Sequence, residues 1–208
     1  MLENIFTSLI SRYSNDQTYI DHLWDSIVKK HNKKKRYYHN LIHLEHLYQK
    51  LDPIKSEIQD WDMVLFALFY HDYVYNILKK DNEEQSADMA KKIIRSLSIQ
   101  EDRAEFCSSI IHATKRHLIS TNTDINYFID ADLSILGSSW QEYETYFNSV
   151  RKEYKYYPDF MYNKARIKIL KHFISMPRIF KTDHFFNKLE CKAKYNLQEE
   201  VNLLSEFI

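Results

Sequence analysis

The segment WDMVLFALFYHDYVY, Trp61 to Tyr75, is apolar on nearly all sides and carries a histidine and an aspartate next to one another at positions 71 and 72. A helix at a protein surface shows one apolar stripe, whereas a helix that is apolar all round belongs in the interior. The spacing therefore predicts a central, buried helix over Trp61 to Tyr75. Burying a charge near its end without compensation costs several kcal/mol. The chain must supply partners for His71 and Asp72.

Outward from this segment the apolar residues recur at three and four positions almost from end to end, the mark of further helices. Tyr19, Leu23, Trp24, Ile27 and Val28 form one stripe, with Asn15 or Asp16 as the expected cap. Leu41, Leu44, Leu47 and Leu51 form another, which Pro53 is expected to end. Asp81 or Asn82 opens a helix carrying Ala87, Ala90, Ile94 and Leu97. Phe106, Ile110 and Ile111 mark the next. Phe128, Leu133 and Leu136 lead to Gly137, which is expected as a left-handed helix cap. Trp140 to Tyr156 is aromatic and amphipathic. Pro158 suits the first turn of the following helix, and the last helix begins near Asp183.

Composition points the same way. The 208 residues contain one glycine and three prolines, far below what sandwiches, barrels and Rossmann sheets need at their turns and phosphate loops. At 44% hydrophobic and 28% charged, the chain has material for a sizeable core. An all-α domain remains. Lys and Arg balance Asp and Glu at 29 each, which gives no support to a protein wholly devoted to nucleic acid and makes nucleic acid an unexpected partner, while leaving room for a local basic patch. The longest uncharged apolar run, Met63 to Tyr70, is too short to span a bilayer, so no membrane partner is expected. Glu3 and Asn4 stand where a secretory signal would carry positive charge. Cys107 and Cys191 fall in helical patterns, as thiols of a reduced protein do. The expectation is a cytoplasmic protein.

Ten histidines are present, and their placement is informative. His39, His43 and His46 are spaced four and three apart, so on a helix they would share a face. Asp130 and Asp132 lie in the apolar stretch Phe128-Ile-Asp-Ala-Asp-Leu-Ser-Ile-Leu. Three helices thus carry imidazole or carboxylate inward. A divalent cation (Mn, Mg, Fe, Co or Zn) would satisfy them together. An ion-paired polar core would do so as well, and the pattern alone leaves both open.

The ordered set of motifs resembles the HD-domain metal-dependent phosphohydrolases: a His, then His-Asp about a helix later, then a distant Asp. More narrowly, it looks like the uncharacterised bacterial group described as predicted metal-dependent HD superfamily phosphohydrolases. The residues that carry the likeness begin with Tyr38-His39-Asn40-Leu41-x-His43, His71-Asp72-x-Val74-Tyr75 and Asn82-Glu83-Glu84-x-Ser86-Ala87. Thr114-Lys115-x-His117, Asp130-x-Asp132-Leu133-x-Ile135-Leu136-Gly137, Arg151-x-Glu153-Tyr154 and Glu190 to Asn196 continue it. The resemblance runs from about Arg36 to Val201. It implies His43, His71, Asp72 and Asp132 as metal ligands. It also implies one HD-type helical bundle over residues 1–208, with a central metal site, a motif-bearing core at about 36–137 and C-terminal helices at 139–207 packed on it. Tyr38-His39-Asn40-x-x-His43 and Ala131-Asp132-Leu133-Ser134 further resemble segments of cyclic nucleotide phosphodiesterases, where the earlier histidine protonates the leaving oxygen. Carried over, His39 becomes the general acid.

Several other residues have two readings each. Glu83 either caps a helix start, where negative charge is favoured, or orients the attacking water as an acid after His-Asp does in other HD hydrolases. Asp130 either orients a ligand or is one. His112 and His117 would supply a second metal, as in the bimetallic branch of the superfamily. Arg36, Lys115, Arg151 and Arg166 are candidates for phosphate, with ion pairs to neighbouring carboxylates as their alternative. The resemblance implies a metal-dependent enzyme that hydrolyses a phosphomonoester or phosphodiester, expected to be a nucleotide. Two rivals stand beside it. One is an HD-scaffold di-iron oxygenase. The other is a catalytically retired nucleotide-binding module, against which the complete His-His-Asp-Asp set argues.

Overall fold

The computed structural model describes residues 1–206. They form ten α-helices and two 3-10 segments, with no strand among them. The all-α class read from glycine scarcity and helical periodicity is the observed one. The described residues fall into two compact units, the first ending at Ile129 and the second beginning at Asp130.

The first unit holds α1 (Leu2–Ile10), α2 (Gln17–His31), α3 (Leu41–Leu51), α4 (Trp61–Tyr70), α5 (Asn82–Ser96) and α6 (Glu101–Ala113). α4 is its centre: every residue from Met63 to Tyr70 is buried, and α1, α3, α5 and α6 pack around it. Its sequence offers no polar face, so only a position enclosed by other helices satisfies it. Phe6 of α1 meets Phe69 edge-on at 5.0 Å. The helix starts where Asp60 accepts the Met63 N–H (3.2 Å), and Arg103 of α6 fixes that cap through both carboxylate oxygens.

α4 stops at Tyr70, earlier than the apolar pattern alone suggests. His71 is its C-cap, and a Tyr73 N–H to Tyr70 carbonyl bond (3.0 Å) turns the chain out of the helix. Asp16 caps α2 by accepting the Tyr19 N–H. Pro53 does not end α3 outright, because it sits in the first turn of a 3-10 segment, Asp52–Glu57, that continues from it.

α7 (Thr123–Asp132) is one unbroken helix whose last turn carries the start of the second unit. The second unit continues with a 3-10 segment, Leu133–Gly137, then α8 (Trp140–Glu153), α9 (Asp159–Ser175) and α10 (Asp183–Ser205). Ser139 and Glu142 form a reciprocal capping box at the start of α8. α10 packs on α9 and on the 3-10 segment.

Gly137 corrects an expectation. It has no left-handed backbone, and α7 has already ended five residues before it. Its role is steric. A Cβ there would stand 2.6 Å from Leu189 Cβ and 2.8 Å from the Leu189 carbonyl oxygen. Only glycine lets α10 come this close. Asn196, one of the motif residues, donates to the Leu136 and Ser138 carbonyls on either side of the glycine (2.9 and 3.0 Å).

Candidate functional site

His43 lies in the first turn of α3, and His71 and Asp72 follow α4. Both histidines are buried, at 4% and 3% exposure. His71 Nδ1 stands 3.1 Å from the Leu68 carbonyl, which can only accept, so Nδ1 carries the proton and Nε2 keeps a lone pair in the neutral ring. That Nε2 lies 3.2 Å from His43 Nε2 and 3.3 Å from Asp72 Oδ2. His43 Nε2 and Asp72 Oδ2 are 3.8 Å apart.

Three potential ligand atoms of separate side chains thus face one another, and a proton on one of them or a shared cation can sit among them. Donor atoms about 2.1 Å from a shared cation stand about 3 Å apart at right angles and about 3.4 Å apart at the tetrahedral angle. The observed separations match that range, with the Asp72 to His43 edge slightly open. Burial alone would raise the Asp72 carboxyl. When the rings are protonated, the charges of His71, His39 and His43 and a hydrogen bond from His71 outweigh it and hold the group well below the usual carboxylate range.

Asp132 is the last residue of α7 and is partly buried. It lies four residues after Phe128, whose ring meets the His71 imidazole edge-on at 5.7 Å.

His39 is not on a helix with His43. α3 begins at Leu41, capped by Asn40, whose side chain accepts the Ile42 N–H (2.8 Å). The four-residue helical spacing that suggested a shared face is therefore not the reason they meet. The His39 ring stacks on Tyr75 with centroids 4.4 Å apart, and its centroid is 5.8 Å from that of His43.

The segment is held by Arg36. Its guanidinium donates to the carbonyls of His39 (3.2 Å), Asp72 (2.6 Å) and Tyr73 (3.1 Å), and the residue is only 7% exposed. Arg36 is a structural tie between the His39 and His71-Asp72 segments, where the sequence reading had it as a phosphate ligand. Behind these segments His31 is fully buried, with Nδ1 bonded to the Ile27 carbonyl. Burial, with the nearby charge of Arg36, lowers its pKa to about 3.

The motif that follows the His-Asp pair acts largely on backbone. Ser86 Oγ accepts the Val74 N–H (3.0 Å). Asn82 pairs with both backbone groups of Asn76 (3.0 Å each). Together they pin the chain leaving Asp72 onto α5.

Glu83 and Lys115, singled out for water and for phosphate, meet each other at 3.7 Å. Lys115 also bonds Glu84 (2.6 Å) and the Lys80 carbonyl (2.8 Å). His112 is exposed on the last turn of α6, and His117 lies beyond it with a left-handed backbone, φ 49°. Among the described residues, neither belongs to a group of donor atoms placed so that it could hold a metal ion.

Three further expectations are corrected in the second unit. Asp130 accepts from the Lys181 N–H (2.8 Å), the Thr182 N–H (2.7 Å) and the Thr182 hydroxyl (2.7 Å). It is an anchor for the start of α10 in place of a metal-site residue. Burial is the largest influence on its carboxyl and raises its pKa despite those donors. Arg151 is held by Asp159 and by the Tyr154 and Tyr157 carbonyls. Arg166 pairs with buried Glu200 (2.8 Å), which also accepts from Tyr143 (2.5 Å). Both arginines thus take the ion-pair reading, each held by a carboxylate of its own unit.

Among the described residues no helix is long and apolar enough to cross a membrane. Comparison with family models, with curated proteins and with solved structures returns no match.

Proposed function

We propose that the protein is a metal-dependent phosphohydrolase acting on a phosphomonoester or phosphodiester of a nucleotide. One observation carries the reading: His43 Nε2, His71 Nε2 and Asp72 Oδ2 stand 3.2 to 3.8 Å apart, with the His71 tautomer set by the Leu68 carbonyl. Two neutral imidazoles and a carboxylate suit Mn, Fe, Co or Zn, and Mg less well. Asp132 joins them in this reading. The family resemblance supplies that assignment, and its carboxylate is a donor of the same kind as that of Asp72.

A bound divalent cation supplies Lewis acidity, activating water and drawing charge from a phosphoryl oxygen. The chain's own residues do the rest. The Leu68 carbonyl orients His71, and the ring of Tyr75 orients His39. His39 protonates the leaving oxygen from its place beside His43.

The test is elemental analysis of protein purified without chelator, together with hydrolysis of a panel of nucleotide mono- and diesters. About one or two divalent ions per chain are expected, in keeping with sites built from two to four such ligands. Chelator should lower the melting temperature, and His71→Ala should abolish both the ion and that increment. A chelator-insensitive melting curve with no metal found would make the cluster an ion-paired core and refute the proposal.

A further inference from the structure

Six of the eight residues from Lys29 to Arg36 are cationic, in a chain whose net charge is zero. α2 ends at His31, and the chain then makes a turn closed by the Arg36 N–H on the Lys33 carbonyl (2.9 Å). The Arg36 side chain fastens this turn to the backbone of His39, Asp72 and Tyr73. Lys30 closes from the helix side, its ammonium 4.7 Å from the centre of the Tyr73 ring. The turn that bears Lys33 and Lys34 is thus tied to the chain at Asp72 and Tyr73 through Arg36 on one side and Lys30 on the other.

Lys29, Lys33 and Lys34 are exposed, and among the described residues none of them makes an ion pair. Partial burial and the charges of Lys30 and Arg36 lower the pKa of Lys33. The charges of Lys29, Lys33 and Lys34 repel one another and raise the local concentration of anions. The other cations singled out from the sequence are engaged: Lys115 with Glu84, Arg151 with Asp159, Arg166 with Glu200, and Arg36 with three carbonyls.

We infer that the Lys33–Lys34 turn is a second anion subsite, and that the site takes a small phosphate ester bearing another phosphate group remote from the one that reacts. The inference rests on the hydrolase reading and names its substrate class. Lysine suits the role because a point charge on a flexible stem follows a phosphate without a fixed geometry. The cluster is one turn wide in a chain of balanced charge. That favours a small ligand over a nucleic acid, which needs a longer basic face.

The experiment measures binding of adenosine 5′-monophosphate and adenosine 3′,5′-bisphosphate to the metal-loaded protein by calorimetry, in wild type and in K33Q/K34Q. Two exposed charge contacts correspond to about a tenfold advantage for the bisphosphate in wild type. That advantage should shrink as salt rises from about 50 to about 200 mM, because exposed charges are screened. K33Q/K34Q should lose it while keeping its melting temperature and its metal.

Equal affinity for the two ligands in wild type, or an advantage that survives in K33Q/K34Q, overturns the inference, as does failure of both ligands to bind. A lysine-dependent preference for a single-stranded oligonucleotide over the bisphosphate also overturns it, in favour of a nucleic-acid ligand. Turnover of phosphate esters without a bisphosphate preference refutes the subsite alone. A bisphosphate preference with no turnover of any ester refutes the hydrolase alone.

Discussion

Arg36→Lys separates the two roles an arginine beside the proposed phosphohydrolase site can have. Lysine keeps the charge and would still attract phosphate, but it cannot reproduce the planar fork that reaches three carbonyls. One ammonium reaches one of them well, so two charge-assisted bonds are lost. At about 1.5–3 kcal/mol each, less what water returns to the half-buried acceptors, the net loss is about 3 kcal/mol. For a chain of this size that corresponds to a melting temperature lower by about 6–12 °C. The assay is calorimetric unfolding without ligand, paired with steady-state kinetics on a phosphate ester. Metal content should persist, because the bonds that lysine loses run to backbone carbonyls, while kcat falls as His39 loses its mooring. A variant that melts within about 2 °C of wild type, a difference under 1 kcal/mol, and shows a raised KM would refute the structural tie and restore the phosphate contact.

Gly137→Ala should destabilise by about 1–3 kcal/mol, since the new methyl meets a backbone oxygen of α10 that cannot swing aside. Urea unfolding reads the sign directly. With an ordinary backbone conformation and open space, alanine would stabilise by about 0.4–1 kcal/mol instead. Leu189→Ala should give no rescue, because it retains the Cβ that collides. His39→Ala should keep its metal and lose about 10²–10⁴-fold in turnover of a nucleotide ester, with a much smaller loss on p-nitrophenyl phosphate, whose leaving group needs little protonation. Loss of metal in that variant would make His39 a ligand.

Much of the first unit is legible in the sequence because the signals are local. α4 declares itself by having no polar face, and the His71-Asp72 pair is conspicuous at its end. The tautomer of His71 is local too, since Leu68 is three residues away on the same turn. What stays hidden depends on chain segments far apart in sequence. Arg36 bonds carbonyls 36 and 37 positions away, and no side-chain pattern marks a carbonyl acceptor. Asp130 reads as a metal-site acid until Lys181 and Thr182 arrive 51 and 52 residues later. Arg166 finds Glu200, 34 residues on, and not the nearby glutamates that spacing suggests. Gly137 misleads because glycine has two uses, backbone freedom and close approach, and only the partner helix shows which one applies.

The placement of His43 and His71, 28 residues apart, has a consequence for how an ion would come and go. Their approach is set by the burial of α4, by the Leu68 carbonyl and by the Arg36 tie, none of which involves the ion. In a zinc finger the metal gathers an otherwise unfolded chain. In the proposed hydrolase the helices and these ties would hold the two imidazoles together without help from a metal. Ions would then trade places on a folded chain, with identity decided at each exchange by fit and supply. The metal content of the purified protein would record what the surrounding medium offered as much as what the residues prefer.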